Sequence, residues 1–252
     1  MLRIEVKTDS SALMSRISYL VPELRVQTAK ALNWTIYNVR DAQRRAMAQV
    51  FDRPTPFTLN QTNRVMLATP DLLQAQTKIR DDQSTGVAPS NYLGPQIYGG
   101  RRKVKASEKA LQNNGLMPTG WIAIPGPGAR LDAYGNMSRG QIVQILSALR
   151  AAEQVSGFSA NITGRSAKRN TKARDYFVST PTQTNPRGGN GRLPYGVYQR
   201  LPGGRIVTVM RFRNAHQYKP RFDYGGIAQT VAETDFPRLM RKAFAPAAAK
   251  RF

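Results

Sequence analysis

The sequence predicts an α+β fold: an antiparallel sheet packed against long N-terminal and C-terminal helices, with a large loop-rich basic insertion. Three observations carry this. Tyr195 to Arg200 and Ile206 to Arg213 are alternating limbs on either side of Pro202-Gly203-Gly204, which is a hairpin pattern. Apolar residues recur at three-to-four spacing after Pro22, and a second helical pattern follows Gly225-Gly226. The reading is a single domain over residues 1–252 with an inserted basic excursion at about 99–175.

Leu2, Ile4 and Val6 alternate with Arg3, Glu5 and Lys7, which predicts a short opening strand. Asp9 or Ser10 then caps a helix whose stripe is Leu13, Met14, Ile17 and Leu20. Pro22 suits the first turn of a longer helix carrying Leu24, Leu32, Ile36, Val39, Ala46 and Val50, which ends near Phe51 before Pro54 and Pro56. Trp34 and Tyr37 on that helix read as core or subunit-contact residues. Each proline also restricts the residue before it, so Phe51 to Asn60 is expected to be an extended strap. Val65 to Ala68 and Leu73 to Ile79 are strand candidates, and a Ser/Thr/Gly/Pro-rich loop is expected from Asp81-Asp82 to Tyr92.

The excursion opens on Arg101-Arg102-Lys103-Val104-Lys105, continues as a short helix from Ser107 to Asn113 and stops at Gly115. Pro125-Gly126-Pro127-Gly128 and Tyr134-Gly135-Asn136 read as turns. Ser138 is placed to cap a helix with Ile142, Val143, Ile145, Leu146 and Leu149. Apolar periodicity fades from Val155 to Arg187, where only Tyr176, Phe177 and Val178 look able to pair. In the hairpin, Arg211 and Arg213 share one face of the second limb, so one side meets a core and the other meets water or an acidic partner. The closing helix is expected to restart around Thr234-Asp235-Phe236-Pro237.

Charge is the outlier of composition. The chain holds 38 Lys plus Arg against 15 Asp plus Glu, a formal charge of +23. A field of that size favours nucleic acid, an acidic protein surface or anionic lipid as partner, with a merely solvated basic surface as the bland alternative. There is no cysteine, which excludes disulfides, thiolate nucleophiles and cysteine-ligated zinc. The segment MLRIEVKTDS lacks the apolar core of a signal peptide and no run is long enough to cross a bilayer, so a soluble cytoplasmic product without membrane contact is expected.

Little chemistry is available. His216 is the single histidine, and no serine sits in a Gly-X-Ser-X-Gly elbow. The carboxylates are scattered, with Asp81 and Asp82 adjacent and so aimed at opposite sides of a strand. Pro125-Gly126-Pro127-Gly128 is not a phosphate loop, because Pro127 lacks the needed N–H and no Gly-Lys-Ser/Thr follows. Neither catalytic nor metal residues nor a cofactor are expected. Two basic clusters remain as candidate contacts: Arg101, Arg102, Lys103 and Lys105, and Arg165, Lys168, Arg169, Lys172 and Arg174. Few aromatics interleave them, which fits sequence-independent phosphate contact or an acidic subunit better than base stacking.

The order of elements resembles the minor tail protein Z family of tailed phages, which is related in organisation to tail-completion or neck proteins. The resemblance rests on the opening strand, the helix pair from Ser10 to Phe51, the Phe51-to-Asn60 segment, Leu193-Pro194-Tyr195-Gly196-Val197-Tyr198-Gln199-Arg200, Arg205 to Phe212, Tyr218 to Tyr224 and the final Ala/Phe-rich helix. It covers roughly residues 1–80 and 190–250. It implies a non-enzymatic virion protein at the head–tail junction, made in the host cytoplasm and assembled as a ring of six copies. Its expected partners are the tail terminator or tail tube, the head connector, and phage DNA passing through and touched by non-specific phosphate contact. The long excursion sets this chain apart from shorter members, and the alternative is a free, sequence-independent nucleic-acid-binding protein.

Overall fold

A computed structural model describes residues 22–61, 63–81, 87–149, 151, 175–179, 193–215 and 217–249. The expected opening strand, the helix from Ser10 and His216 lie outside them. The described chain is α+β, with long helices toward both ends and antiparallel sheets between. Its contacts form two compact units, Met1–Arg102 with Gln217–Phe252, and Lys103–His216. The excursion expected at about 99–175 and the hairpin, read separately from the sequence, share the second unit.

In the first unit, helix α1 (Pro22–Val50) begins at the proline that needs no N–H partner there. Ala29, Ile36, Val39, Gln43 and Met47 are buried along one stripe. That stripe packs on the C-terminal helix α6 (Tyr224–Ala249) and on a two-stranded sheet of β1 (Asn63–Met66) and β2 (Gln76–Ile79), with Asn63 opposite Ile79. Asn33 ties α1 to the chain after β1: its side chain donates to the Ala68 carbonyl at 3.0 Å and accepts from the Ala68 amide at 2.7 Å. Trp34 and Tyr37 are not core: they are 39 % and 38 % exposed, under the Lys242 ammonium and the Arg40 guanidinium respectively.

Three expectations need correction here. The strap is not extended throughout, because Pro56–Gln61 forms the short helix α2. Pro56 fixes a helical φ at the first position, and Thr55, held extended before it, caps the turn by accepting from the Thr58 amide at 3.1 Å. The loop expected up to Tyr92 instead enters helix α3 (Pro89–Tyr98) by the same device, proline in the first turn. Helix α6 runs through Pro237 without restarting. A mid-helix proline costs roughly 3 kcal/mol. Burial of Ala228, Ala232, Phe236, Leu239 and Ala243 along one stripe offsets that cost. Below the helix ends, Met47, Ile79, Leu93, Phe222 and Tyr224 close a second core, in which Thr77 and the Tyr224 hydroxyl lie 2.9 Å apart.

The second unit contains α4 (Ala106–Asn113), β3 (Trp121–Pro125), α5 (Arg139–Ala148), β4 (Tyr176–Ser179), β5 (Gly196–Arg200) and β6 (Ile206–Asn214). The strands form one antiparallel sheet in the order β3-β6-β5-β4. The expected hairpin is there, with Pro202–Gly204 as its turn and Gly203 at φ 77°. Its apolar face is covered from within the second unit. Val197, Met210 and Phe212 share a core with Tyr176 and Val178 of β4, with Ala110 and Leu111 of α4, and with Ile145 and Leu146 of α5. Ser138 caps α5 as read, accepting from the Gln141 amide at 3.2 Å.

Candidate polyanion-binding interface

The register of the second sheet decides which side chains share a face. Residues directly opposite in an antiparallel pair project the same way. Trp121, Ala123 and Pro125 of β3 oppose Asn214, Phe212 and Met210, which puts them on the core side. Ile122 and Ile124 oppose Arg213 and Arg211 on the outer side. Gly196 opposes Arg211, and beyond an irregularity between Val197 and Tyr198 the pairs are Tyr198 with Thr208 and Arg200 with Ile206. Phe177 opposes Tyr198. The outer face therefore carries Arg200, Arg211 and Arg213 together with Phe177, Tyr198, Thr208, Ile124, Ile206 and the buried Ile122.

Alternation explains the arginines. Met210 and Phe212 are buried, and the intervening Arg211 and Arg213 are exposed. From Arg213 to Arg211 and on from Gly196 to Arg200 there are six residue steps, so the three cations span about 20 Å along the strands at ~3.4 Å per residue. Arg205 is exposed at the hairpin turn nearby. Tyr198, beneath this row, is 3 % exposed and donates its hydroxyl to the Pro194 carbonyl at 2.7 Å. Burial raises the Tyr198 pKa above the ordinary tyrosine value, while the Thr208 hydrogen bond and the Arg211 charge work against that rise.

Acidic residues are scarce in the unit that carries these cations. Residues 103–216 hold 17 of the 38 basic residues and only four of the 15 acidic ones. Of the three described acids in the unit, Glu108 and Asp132 are committed to backbone amides, and Asp175 stands just before β4, one residue ahead of the Tyr176–Gln199 pair and so at Arg200's end of the sheet. Buried Glu108 accepts from the Lys105 amide at 2.8 Å and the Ala123 amide at 2.9 Å. Asp132 accepts from the Tyr134 and Asn136 amides at 2.9 and 2.8 Å. Among the described residues no carboxylate is ion-paired with Arg200, Arg211 or Arg213.

Of the clusters picked out from the sequence, the first lies on the segment leading into α4, with Arg101, Lys103 and Lys105 exposed and Arg102 half-buried. Arg165, Lys168, Arg169, Lys172 and Arg174 lie outside the described residues. Arg211 and Arg213 fall on one face as expected, while the addition of Arg200 and Phe177 was not read. The alternation of Tyr198 and Arg200 was a signal for the former. Phe177 had none, because its neighbours depend on a pairing across a long connection.

An open cleft of about 280 Å³ lies between α1 and α6 in the first unit, lined by Asn38, Asp41, Arg45, Val231 and Asp235. Its carboxylates are engaged: Asp41 by Arg40, and Asp235 by Arg238 at 3.0 Å and Asn38 at 2.6 Å, which in that order hold the Asp235 carboxyl below its usual range. Among the described residues no three His, Asp or Glu side chains gather closely enough to hold a metal ion, and no helix is long and apolar enough to cross a membrane. Comparison with family models, with curated proteins and with solved structures finds no match for this chain.

Proposed function

We propose that this chain is a non-enzymatic structural protein of a tailed phage, a tail-completion, neck or minor tail component that forms a ring at the head–tail junction and meets DNA through non-specific phosphate contacts. The observation that carries the DNA contact is the outer face of the second sheet: Arg200, Arg211 and Arg213 in a row with no paired carboxylate among the described residues. A row of ~20 Å covers about six base-pair rises of a duplex, and an unpaired arginine gains most from phosphate. The virion setting comes from the resemblance of the element order, with Pro22–Val50 and Tyr224–Ala249 as the two long helices.

Electron microscopy of assembled particles with the chain labelled tests the setting. Density at the head–tail junction is expected; density in the capsid shell, or none in the virion, overturns it. Duplex binding by the purified protein as a function of salt tests the contact. Weak monomer binding that strengthens on assembly is expected, whereas tight, steeply salt-dependent binding by the monomer supports a free nucleic-acid-binding protein instead.

A further inference from the structure

The outer face holds two aromatic rings beside its arginines, an arrangement that in single-strand binders serves to stack bases. Here the rings are already engaged. Arg200 lies over the Phe177 ring with its guanidinium carbon 4.6 Å from the centroid. Phe177 also stacks with Tyr198 at 5.7 Å and an interplanar angle of 24°. Tyr198 is almost wholly buried and its hydroxyl is bonded to Pro194. A base has no open ring to occupy on Tyr198, and on Phe177 it would have to displace a cation.

We infer that Phe177 is a positioning residue, that Arg200 is the pre-oriented phosphate ligand of this face, and that the ligand is a nucleic-acid backbone read without regard to base. This rests on the proposed phosphate contact and specifies it. A guanidinium laid on a ring keeps its edge donors free while losing rotamer freedom in advance, so less is lost when two of them engage a phosphate. Pairing across β4 and β5 supplies the geometry: Phe177 is opposite Tyr198, and Arg200 is the next residue on the same face. Arg211 and Arg213 extend the contact from β6, an interior strand bonded on both sides. A backbone ligand also fits the remainder of the face, the aliphatic Ile122, Ile124 and Ile206 and a Thr208 hydroxyl already engaged by Tyr198, which offers no set of side chains suited to a base edge.

The test is fluorescence anisotropy of the full chain with a short labelled duplex across a sodium chloride series, with base-composition variants and homopolymer single strands as further probes. Arg200→Gln should weaken binding roughly five- to tenfold at low salt and lower the salt slope by about 0.9, the loss of one phosphate contact. Arg200→Lys keeps the charge and loses the planar stack, so it should keep the slope and still bind more weakly. Phe177→Leu should weaken binding roughly two- to fivefold with the slope unchanged. Because Arg200→Lys alters only an exposed side chain, it stands as the measure if Phe177→Leu melts early. Duplexes of different composition should bind alike. Unaltered binding in Arg200→Gln overturns this inference alone, as does tighter binding to one homopolymer single strand than to duplex. No binding to any probe at low salt overturns the proposed contact as well.

Discussion

Glu108 offers the sharpest test of how the second unit is held together. Its carboxylate is 1 % exposed and takes one backbone amide on each oxygen, Lys105 at the start of α4 on Oε2 and Ala123 in β3 on Oε1. A buried ionic group can often be replaced by an apolar one at little cost, provided its partners go too. Backbone amides cannot be removed. Glu108→Ala leaves the Ala123 amide without its acceptor, at about 2 kcal/mol, and removes the N-terminal cap of α4, at about 1 kcal/mol since Lys105 is open to water. A loss of about 3 kcal/mol should lower the thermal midpoint by roughly 10 °C for a unit of this size. Glu108→Gln keeps the shape and one acceptor, so about half the loss is expected. Calorimetry of the full chain reads both. A Glu108→Ala midpoint within a degree or two of the parent would mean that the two hydrogen bonds do not couple α4 to the sheet.

Gly196→Ala should be worse tolerated: an added Cβ would stand 2.2 Å from the Met210 carbonyl oxygen, so β5 and β6 must separate, and a loss of about 3 kcal/mol or more is expected in urea unfolding. An unshifted midpoint would disprove the close approach. Tyr224→Phe removes the contact with Thr77 and should cost about 1 kcal/mol at neutral pH. Burial raises the Tyr224 pKa in the fold above the ordinary 10.0, so its contribution is intact below that value and fades as pH rises through the folded pKa. The Phe variant should therefore lose less stability than the parent on going alkaline, and parallel melting curves would refute this. Asp235 behaves with the opposite sign. Arg238 and then Asn38 depress its pKa below 3.8, so its contribution is present above that value and lost as pH falls through the folded pKa. Near the surface that contribution is about 0.5 kcal/mol, and the gap between parent and Asp235→Ala should close in acid melts.

What was legible in the sequence was local. The stripe after Pro22, the Ser138 cap, the Pro202-Gly203-Gly204 turn and the pairing capacity of Tyr176 to Val178 each depend on neighbours a few residues apart, and each is found. Prolines misled in both directions. Pro56 starts a helix where an extended strap was expected, Pro89 starts one where a loop was expected, and Pro237 stays inside one where a restart was expected, because first-turn geometry and tertiary burial decide what a proline does. The order β3-β6-β5-β4 joins strands far apart in the chain, which no local pattern specifies. For the same reason the shared face of Arg211 and Arg213 was readable and the stack of Arg200 on Phe177 was not.

The placement of β6 inside its sheet links this topology to the charge. An edge strand would present its arginines on backbone free to pair elsewhere and to move. Bonded to β3 on one side and β5 on the other, β6 holds Arg211 and Arg213 at a fixed spacing on rigid backbone, while the alternate residues Met210 and Phe212 are locked in the core. Two of the unit's scarce acids, Glu108 and Asp132, are meanwhile drawn to amides that need them, at the start of α4 and in the Asp132 turn. With few carboxylates in the unit, and Glu108 and Asp132 taken up by the backbone, Arg200, Arg211 and Arg213 have no ion-paired carboxylate among the described residues. The proposed phosphate contact would supply that row with a counterion from outside the described residues.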